Sequence, residues 1–188
     1  MGEEKPAEWY DGYLQKGDST PLYKIVDGYL GLDSLILDLG CAEGRFAQYL
    51  HEHGVTAQAY VGMDFSSKRL EAARKALPDF CFLLGDIRSD NAKELMKLCH
   101  QVVLLEVLEH IRADREVLAM IPPFHSVIIS VPNYNSAGHV RWFKDIQAVK
   151  ARYADLIDFW TDETWDCSST NKIFILEGVR RDEIKEAV

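Results

Sequence analysis

LILDLGCAEGRFAQYL, residues 35–50, decides the fold: an apolar run ends in an acid, a tight glycine loop follows, and the loop opens into a helix. Leu35, Ile36, Leu37 and Leu39 give the near-continuous apolar pattern of a strand buried on both faces of a parallel sheet. Gly40 and Gly44 bracket a turn in which the backbone can approach a ligand closely, because a residue without Cβ tolerates positive φ. Phe46, Ala47 and Leu50 then fall at helical spacing over 45–53, and Gly54 is a stop signal.

Downstream of this unit the pattern repeats. Apolar runs at 59–63, 80–84, 102–105 and 127–131 read as strands, the first closed by Asp64, the second by Gly85-Asp86, the third by Glu106 and the last broken by Pro132-Asn133. Helical stretches separate them: one capped by Ser66 and stopped before Pro78, one over 91–99, one over 114–120. Such alternation implies right-handed βαβ units and a mostly parallel sheet. The tail is less regular, with a helix expected over 140–153, strands over 155–160 and 172–179, and a short helix over 182–188. Residues 1–33 mix aromatics with turn formers; a helix is expected over 21–29, and the segment is expected to cover the sheet or pack on its edge.

With 188 residues and 47% hydrophobic content, a single domain with a sizeable core is expected. No run is long enough to span a membrane and the first ten residues are polar, so a soluble, cytoplasmic protein is expected. The four cysteines are scattered without a C-x-x-C pair, which suggests reduced thiols. A formal charge of −9 disfavours a broad nucleic-acid surface, whose affinity comes from neutralising phosphates.

The strand ends carry the chemistry. In an open α/β sheet, ligands bind beyond the carboxyl ends of the strands, and four expected strands finish there with Asp38, Asp64, Asp86 and Glu106. Asp64 lies about 20 residues past the glycine loop, where a carboxylate can accept from both ribose hydroxyls. The loop reads G-C-A-E-G, not a phosphate fingerprint. Glu43 at the helix start and Asp38 before the loop would repel a pyrophosphate but suit an ammonium and a sulfonium, the charges of S-adenosyl-L-methionine.

From about residue 35 to 143 the chain resembles the class I S-adenosylmethionine-dependent methyltransferases, through LDLGCAEG, YVGMDFS, LLGDI, LLEVLEH and ISVPN in order. The resemblance implies a Rossmann-like, doubly wound α/β fold. Its sheet has seven strands, mostly parallel, with the final strand inserted antiparallel. It implies that Gly40, Cys41 and Gly44 contact the methionine part, that Asp64 binds the ribose and that Phe65 lies along the adenine. Asp86 would accept from the adenine amino group with the Ile87 amide beside it, and Glu106 would border the sulfonium. No long insertion follows Asn133, which leaves Tyr10, Tyr13 and their neighbours as the cover of the site.

Methyl transfer needs a base only for a hydroxyl or ammonium acceptor. His110 and His139 are the candidates. A helical turn after Glu106 would bring Glu106, Glu109 and His110 to one face. The same groups, with His139, offer ligands to a divalent ion, although no metal is expected. Trp142, Phe143, Tyr153, Phe159 and Trp160 line an acceptor pocket or pack in the core, and Arg141 meets an acceptor anion or a surface acid. His51 and His53 are expected to face solvent, and His100 and His125 to be structural. The acceptor expected is a small molecule methylated at oxygen or nitrogen. A nicotinamide-dependent oxidoreductase and a noncatalytic cofactor-binding domain are the rival readings.

Overall fold

The computed structural model describes residues 2–11, 17–31 and 34–182. A seven-stranded sheet runs in the order β3-β2-β1-β4-β5-β7-β6. Its strands are β1 (Ile36–Leu39), β2 (Tyr60–Asp64), β3 (Cys81–Leu84), β4 (Gln101–Leu105), β5 (Ser126–Pro132), β6 (Ile157–Asp166) and β7 (Lys172–Arg180). The first five are mutually parallel, and β7 inserts antiparallel between β5 and β6. The helices are α1 (Ala7–Asp11), α2 (Thr20–Asp27), α3 (Arg45–Glu52), α4 (Ser67–Ala76), α5 (Asp90–Leu98), α6 (Asp114–Met120) and α7 (Ile146–Tyr153).

The apolar runs are explained by burial on both faces. Leu37, Leu39, Val102, Leu104, Val127 and Ile129 point to one side, against Met96 of α5, Val117 and Leu118 of α6, and Val149 and Tyr153 of α7. Their sequence neighbours Ile36, Val103 and Ile128 point to the other, against Leu22 and Val26 of α2, Phe46 and Leu50 of α3, and Leu70 and Ala73 of α4. Period-two alternation therefore leaves no polar face to read in the central strands. Ser66 caps α4 as expected, accepting from the Arg69 amide at 3.2 Å. Between α6 and α7, buried Asp114 is held by Arg152 at 2.6 and 2.7 Å, by the Tyr153 hydroxyl at 2.8 Å and by Arg141 at 3.1 Å.

Four expectations about the tail and the start need correction. The helix begins at Ile146, not at 140, because the preceding residues are committed elsewhere. The Val140 amide donates to the Glu109 carbonyl at 2.7 Å and the Phe143 amide to the Pro132 carbonyl at 3.0 Å, and only then does Asp145 cap the helix through the Ala148 amide. Strand β6 does not stop at 160 but continues to Asp166, with an irregularity between Phe159 and Thr161. Pro132 does not break β5, since it remains paired opposite Ile173. Helix α1 lies in a stretch with no helix expected. The helix expected over 182–188, apart from Asp182, and the covering role given to Tyr13 fall outside the described residues.

Candidate active site

The strand order reverses between β1 and β4, so the loops leaving these two strands diverge and open a crevice. The loop after β1 is tied to the end of β2. The Gly40 and Cys41 amides both donate to the Met63 carbonyl, at 2.7 and 3.1 Å, and Asp64 accepts from the Ala42 amide at 3.0 Å and the Ser66 amide at 2.8 Å. Gly40 has φ +85°, and a Cβ there would lie 2.5 Å from a Val107 methyl group. Glycine is therefore required twice over, by conformation and by space.

Beyond these strand ends lies a cavity of about 620 Å³, lined among others by Asp38, Gly40, Cys41, Asp64, Phe65, Asp86, Ile87, Glu106, His110 and His139. Gly44 is not among the lining residues. It sits at φ +76° at the start of α3, where a Cβ would meet Ala73 at 3.0 Å and Phe82 at 3.2 Å, so its role is close helix packing. Two sequence arguments are changed by side-chain pairing. Glu43 lines the cavity but is ion-paired with Arg45 at 3.3 Å and Arg69 at 3.8 Å, so its charge is largely answered within the protein. Asp86 is gripped by the Arg88 side chain at 2.7–3.1 Å, so an adenine amino group would share this carboxylate with Arg88.

Asp38 is buried and accepts from the Tyr60 hydroxyl at 2.5 Å; burial, reinforced by nearby Asp64, pushes its carboxyl up to about 7. Desolvation also carries Glu106 up to about 7, against a hydrogen bond from Ser130 at 3.1 Å. Glu109 is fully buried, neither of its carboxylate oxygens has a hydrogen-bond partner, and burial, with Glu106 close by, raises its carboxyl as well.

The two imidazoles face each other with ring centroids 4.8 Å apart. His110 Nδ1 lies 3.1 Å from the Gly138 carbonyl, and His139 Nδ1 lies 3.1 Å from the Tyr134 carbonyl. A carbonyl only accepts, so Nδ1 carries the proton in each ring and Nε2 keeps its lone pair. Desolvation holds His110 down to about 4 and lowers His139 too, so both are neutral at physiological pH.

Residues 2–11 run across this cavity. The Tyr10 ring packs 5.3 Å from Phe65 and 5.6 Å from His110, Ser66 donates to Asp11, and Glu4 bridges the Arg88 side chain at 2.7 Å and the Arg112 amide at 3.3 Å. Tyr10 is among the residues that line the cavity. The expected acceptor aromatics are not in the cavity: Phe143 and Tyr153 are core, and Trp142 and Trp160 are exposed. Tyr134 and Trp165, with Cys167 and Ile173, line it instead, and no local pattern in the sequence marked them. Arg141 turns inward to the carbonyls of Leu108, Ile111 and Arg112 and to Asp114, so it meets no acceptor. His51 and His53 pack on Phe80 and Tyr49, and His100 Nδ1 accepts from the Leu35 amide at 3.0 Å, all outside the cavity lining.

Residues 36–127, which supply β1 to the start of β5, match a family model described as a methyltransferase domain. Over these residues, just under half of its length, the chain is similar to S-adenosylmethionine-dependent methyltransferases. The chain is 30% identical over 107 residues to trans-aconitate 2-methyltransferase of Escherichia fergusonii, a match taking in 56% of the chain and 42% of that protein. It is 28% identical over 81 residues to ribosomal RNA large subunit methyltransferase E of Brachyspira hyodysenteriae, over 43% of the chain and 39% of that protein. The matches thus span less than half the length of these curated relatives. Its fold is that of magnesium protoporphyrin IX methyltransferase from Synechocystis PCC 6803, solved with S-adenosylhomocysteine bound, at a TM-score of 0.62 and 18% identity over 87% of the chain and 80% of that one. Among the described residues, no helix is long and apolar enough to cross a membrane.

The residues present suit S-adenosylmethionine. Among the described residues no ion pair reaches the desolvated carboxyls of Asp38 and Glu106, and the ligand's ammonium and sulfonium would supply compensating charge. The glycine loop is already in a conformation that brings backbone against the cavity.

Proposed function

We propose that this protein transfers the methyl group of S-adenosylmethionine to a small-molecule acceptor at oxygen or nitrogen. The observation that carries the reading is a neutral imidazole, His110, whose Nε2 lone pair shares one cavity with the carboxylates suited to the cofactor. When bound, the cofactor supplies a methyl group already activated by the sulfonium. Asp38 receives the ammonium, Asp64 keeps lone pairs for the ribose hydroxyls while anchoring the loop, and Phe65 offers a face to the adenine. His110 Nε2 would take the proton that an acceptor O–H or N–H gives up on receiving the methyl group, whose bond to sulfur would break and leave the neutral thioether, with His139 beside the imidazole. Tyr10, Tyr134 and Trp165 wall the acceptor side and limit water.

A small acceptor is supported by the covered cavity, by the net charge of −9 and by the trans-aconitate relative; the ribosomal RNA relative makes RNA the competitor to test. The free thiols of Cys41, Cys81, Cys99 and Cys167 support a cytoplasmic setting. The test is methyl transfer from labelled S-adenosylmethionine to a panel of hydroxylated, carboxylated and amino small molecules, with RNA as a parallel arm. Turnover of a small molecule that falls at least a hundredfold in His110→Ala supports the reading. Transfer to RNA alone, or no transfer to any acceptor by protein that binds the cofactor, overturns it.

A further inference from the structure

We propose that Glu109, His110 and His139 bind one divalent first-row transition-metal ion at the acceptor end of the cavity, with Glu106 beside it. One donor atom from each of the three lies within 4.8 Å of the others, and His110 Nε2 is 3.8 Å from Glu109 Oε1. Two ligands at about 2.1 Å from a tetrahedral ion stand about 3.4 Å apart, so small side-chain rotations suffice to close the set.

Three independent features point to an ion. The first is Glu109, which is completely buried with both oxygens lacking a hydrogen-bond partner among the described residues. A protein rarely leaves a buried carboxylate so, because the desolvation is not recovered, and a cation at the cavity wall recovers it. The second is the orientation of the imidazoles. A backbone carbonyl behind each Nδ1 fixes the tautomer with Nε2 bare, which is how proteins aim histidine ligands. Gly138, at φ +86°, brings its carbonyl against His110, where a Cβ would stand 3.3 Å from the ring nitrogen. The third is rigidity: the Glu109 carbonyl accepts from the Val140 amide at 2.7 Å, so the two segments carrying the donors are joined before any ligand arrives.

Two imidazoles with a carboxylate select zinc, manganese, iron(II) or cobalt(II) over magnesium and calcium, which take oxygen donors. Three protein ligands leave a coordination position facing the cavity. Resting on the methyl transfer proposed above, but with the ion rather than a proton on His110 Nε2, that position makes the acceptor a molecule presenting a hydroxyl or carboxylate oxygen, whose ionised form the ion would favour in place of the imidazole base.

The test is calorimetric titration of chelator-stripped protein with Mn²⁺, Zn²⁺, Co²⁺ and Mg²⁺, with the visible spectrum of the Co²⁺ form as a second readout. The expected result is one ion per chain with micromolar or tighter Kd, Mg²⁺ at least a hundredfold weaker, and a Co²⁺ absorption band. His139→Ala and Glu109→Gln should each weaken binding at least tenfold. Binding of S-adenosylhomocysteine, read separately, reports that each variant is folded; if Glu109→Gln fails this check, His139→Ala decides. Absence of binding, or binding unaltered in His139→Ala, overturns the site. An ion bound without turnover of any acceptor leaves the site standing and removes the proposed function, whereas turnover unaffected by chelation with no ion bound does the reverse.

Discussion

Lowering the pH from 7.5 to 5.5 should weaken S-adenosylhomocysteine binding about 25-fold, because Asp38 takes up a proton that the ligand must displace. In the free protein its carboxyl lies at about 7, raised by burial and by Asp64 against the Tyr60 hydroxyl at 2.5 Å. The sign follows from the ligand: an ammonium favours the ionised carboxylate, so binding lowers this pKa and releases a proton. With about 7 as the free value, the ionised fraction is roughly 0.75 at pH 7.5 and 0.03 at pH 5.5, a ratio equivalent to about 1.9 kcal/mol. The ligand's own amino group, near 8 in model compounds, stays largely protonated across this window. The measurement is calorimetry at several pH values in two buffers of different ionisation enthalpy, which at pH 6 should report about 0.9 proton released per ligand. Glu106 also lies at about 7, so the experiment is best made in Glu106→Gln. Asp38→Asn should abolish the slope and bind weakly throughout, and Tyr60→Phe should move the break to higher pH by removing the donor that supports the charge. A dissociation constant independent of pH, with no proton released, would refute the reasoning.

Three further outcomes are expected. Gly40→Ala forces an L-residue to φ +85° and drives its Cβ to 2.5 Å from Val107, so thermal melting should show a loss of at least about 1–2 kcal/mol together with weakened cofactor binding; an unchanged melt would mean that the loop relaxes freely. Asp114→Ala leaves Arg141 and Arg152 without their shared partner in the packing between α6 and α7, and urea unfolding should register a loss of about 3–5 kcal/mol, with less than 1 kcal/mol counting against the assignment. Glu4→Ala releases the bridge from residues 2–11 to Arg88 and Arg112; exposed pairs contribute about 0–1 kcal/mol, so the melting temperature should hardly move while stopped-flow shows cofactor dissociation accelerated several-fold.

The central sheet was legible because its strands are buried on both faces, so each reads as an uninterrupted apolar run with an acid where it meets the crevice. Strand β6 was only half legible. It lies at the sheet edge and is largely polar along its length, and its extent is set by pairing with β7. The segment 140–145 has helical composition, but bonds to Glu109 and Pro132, far away in sequence, override local preference. The same division runs through the site. Gly40, Asp38 and Asp64 were found because one strand–loop–helix unit and its neighbour carry them. Tyr134 and Trp165 were not: the first sits in an irregular loop after β5, and the second reaches the cavity only through the pairing of β6 with β7. Glu43 and Arg141 show the converse limit: residue type and position were read correctly, but their partners decide what their charges are available to do.

The place of β7 in the sheet has a consequence for how such an enzyme can change. The shared domain ends at residue 127, and the cofactor side of the cavity is built almost entirely before that point. Tyr134, His139, Trp165, Cys167 and Ile173 come after it, three of them from the β6–β7 hairpin that folds back to the crevice from the far edge of the sheet. On the proposed reading, the donor's side of the cavity lies in the first part of the chain, while much of the recipient's side, Tyr10 and His110 apart, lies in the second. The hairpin can drift, lengthen or be exchanged without disturbing the glycine loop, so relatives alike over the first half are free to differ in what they methylate.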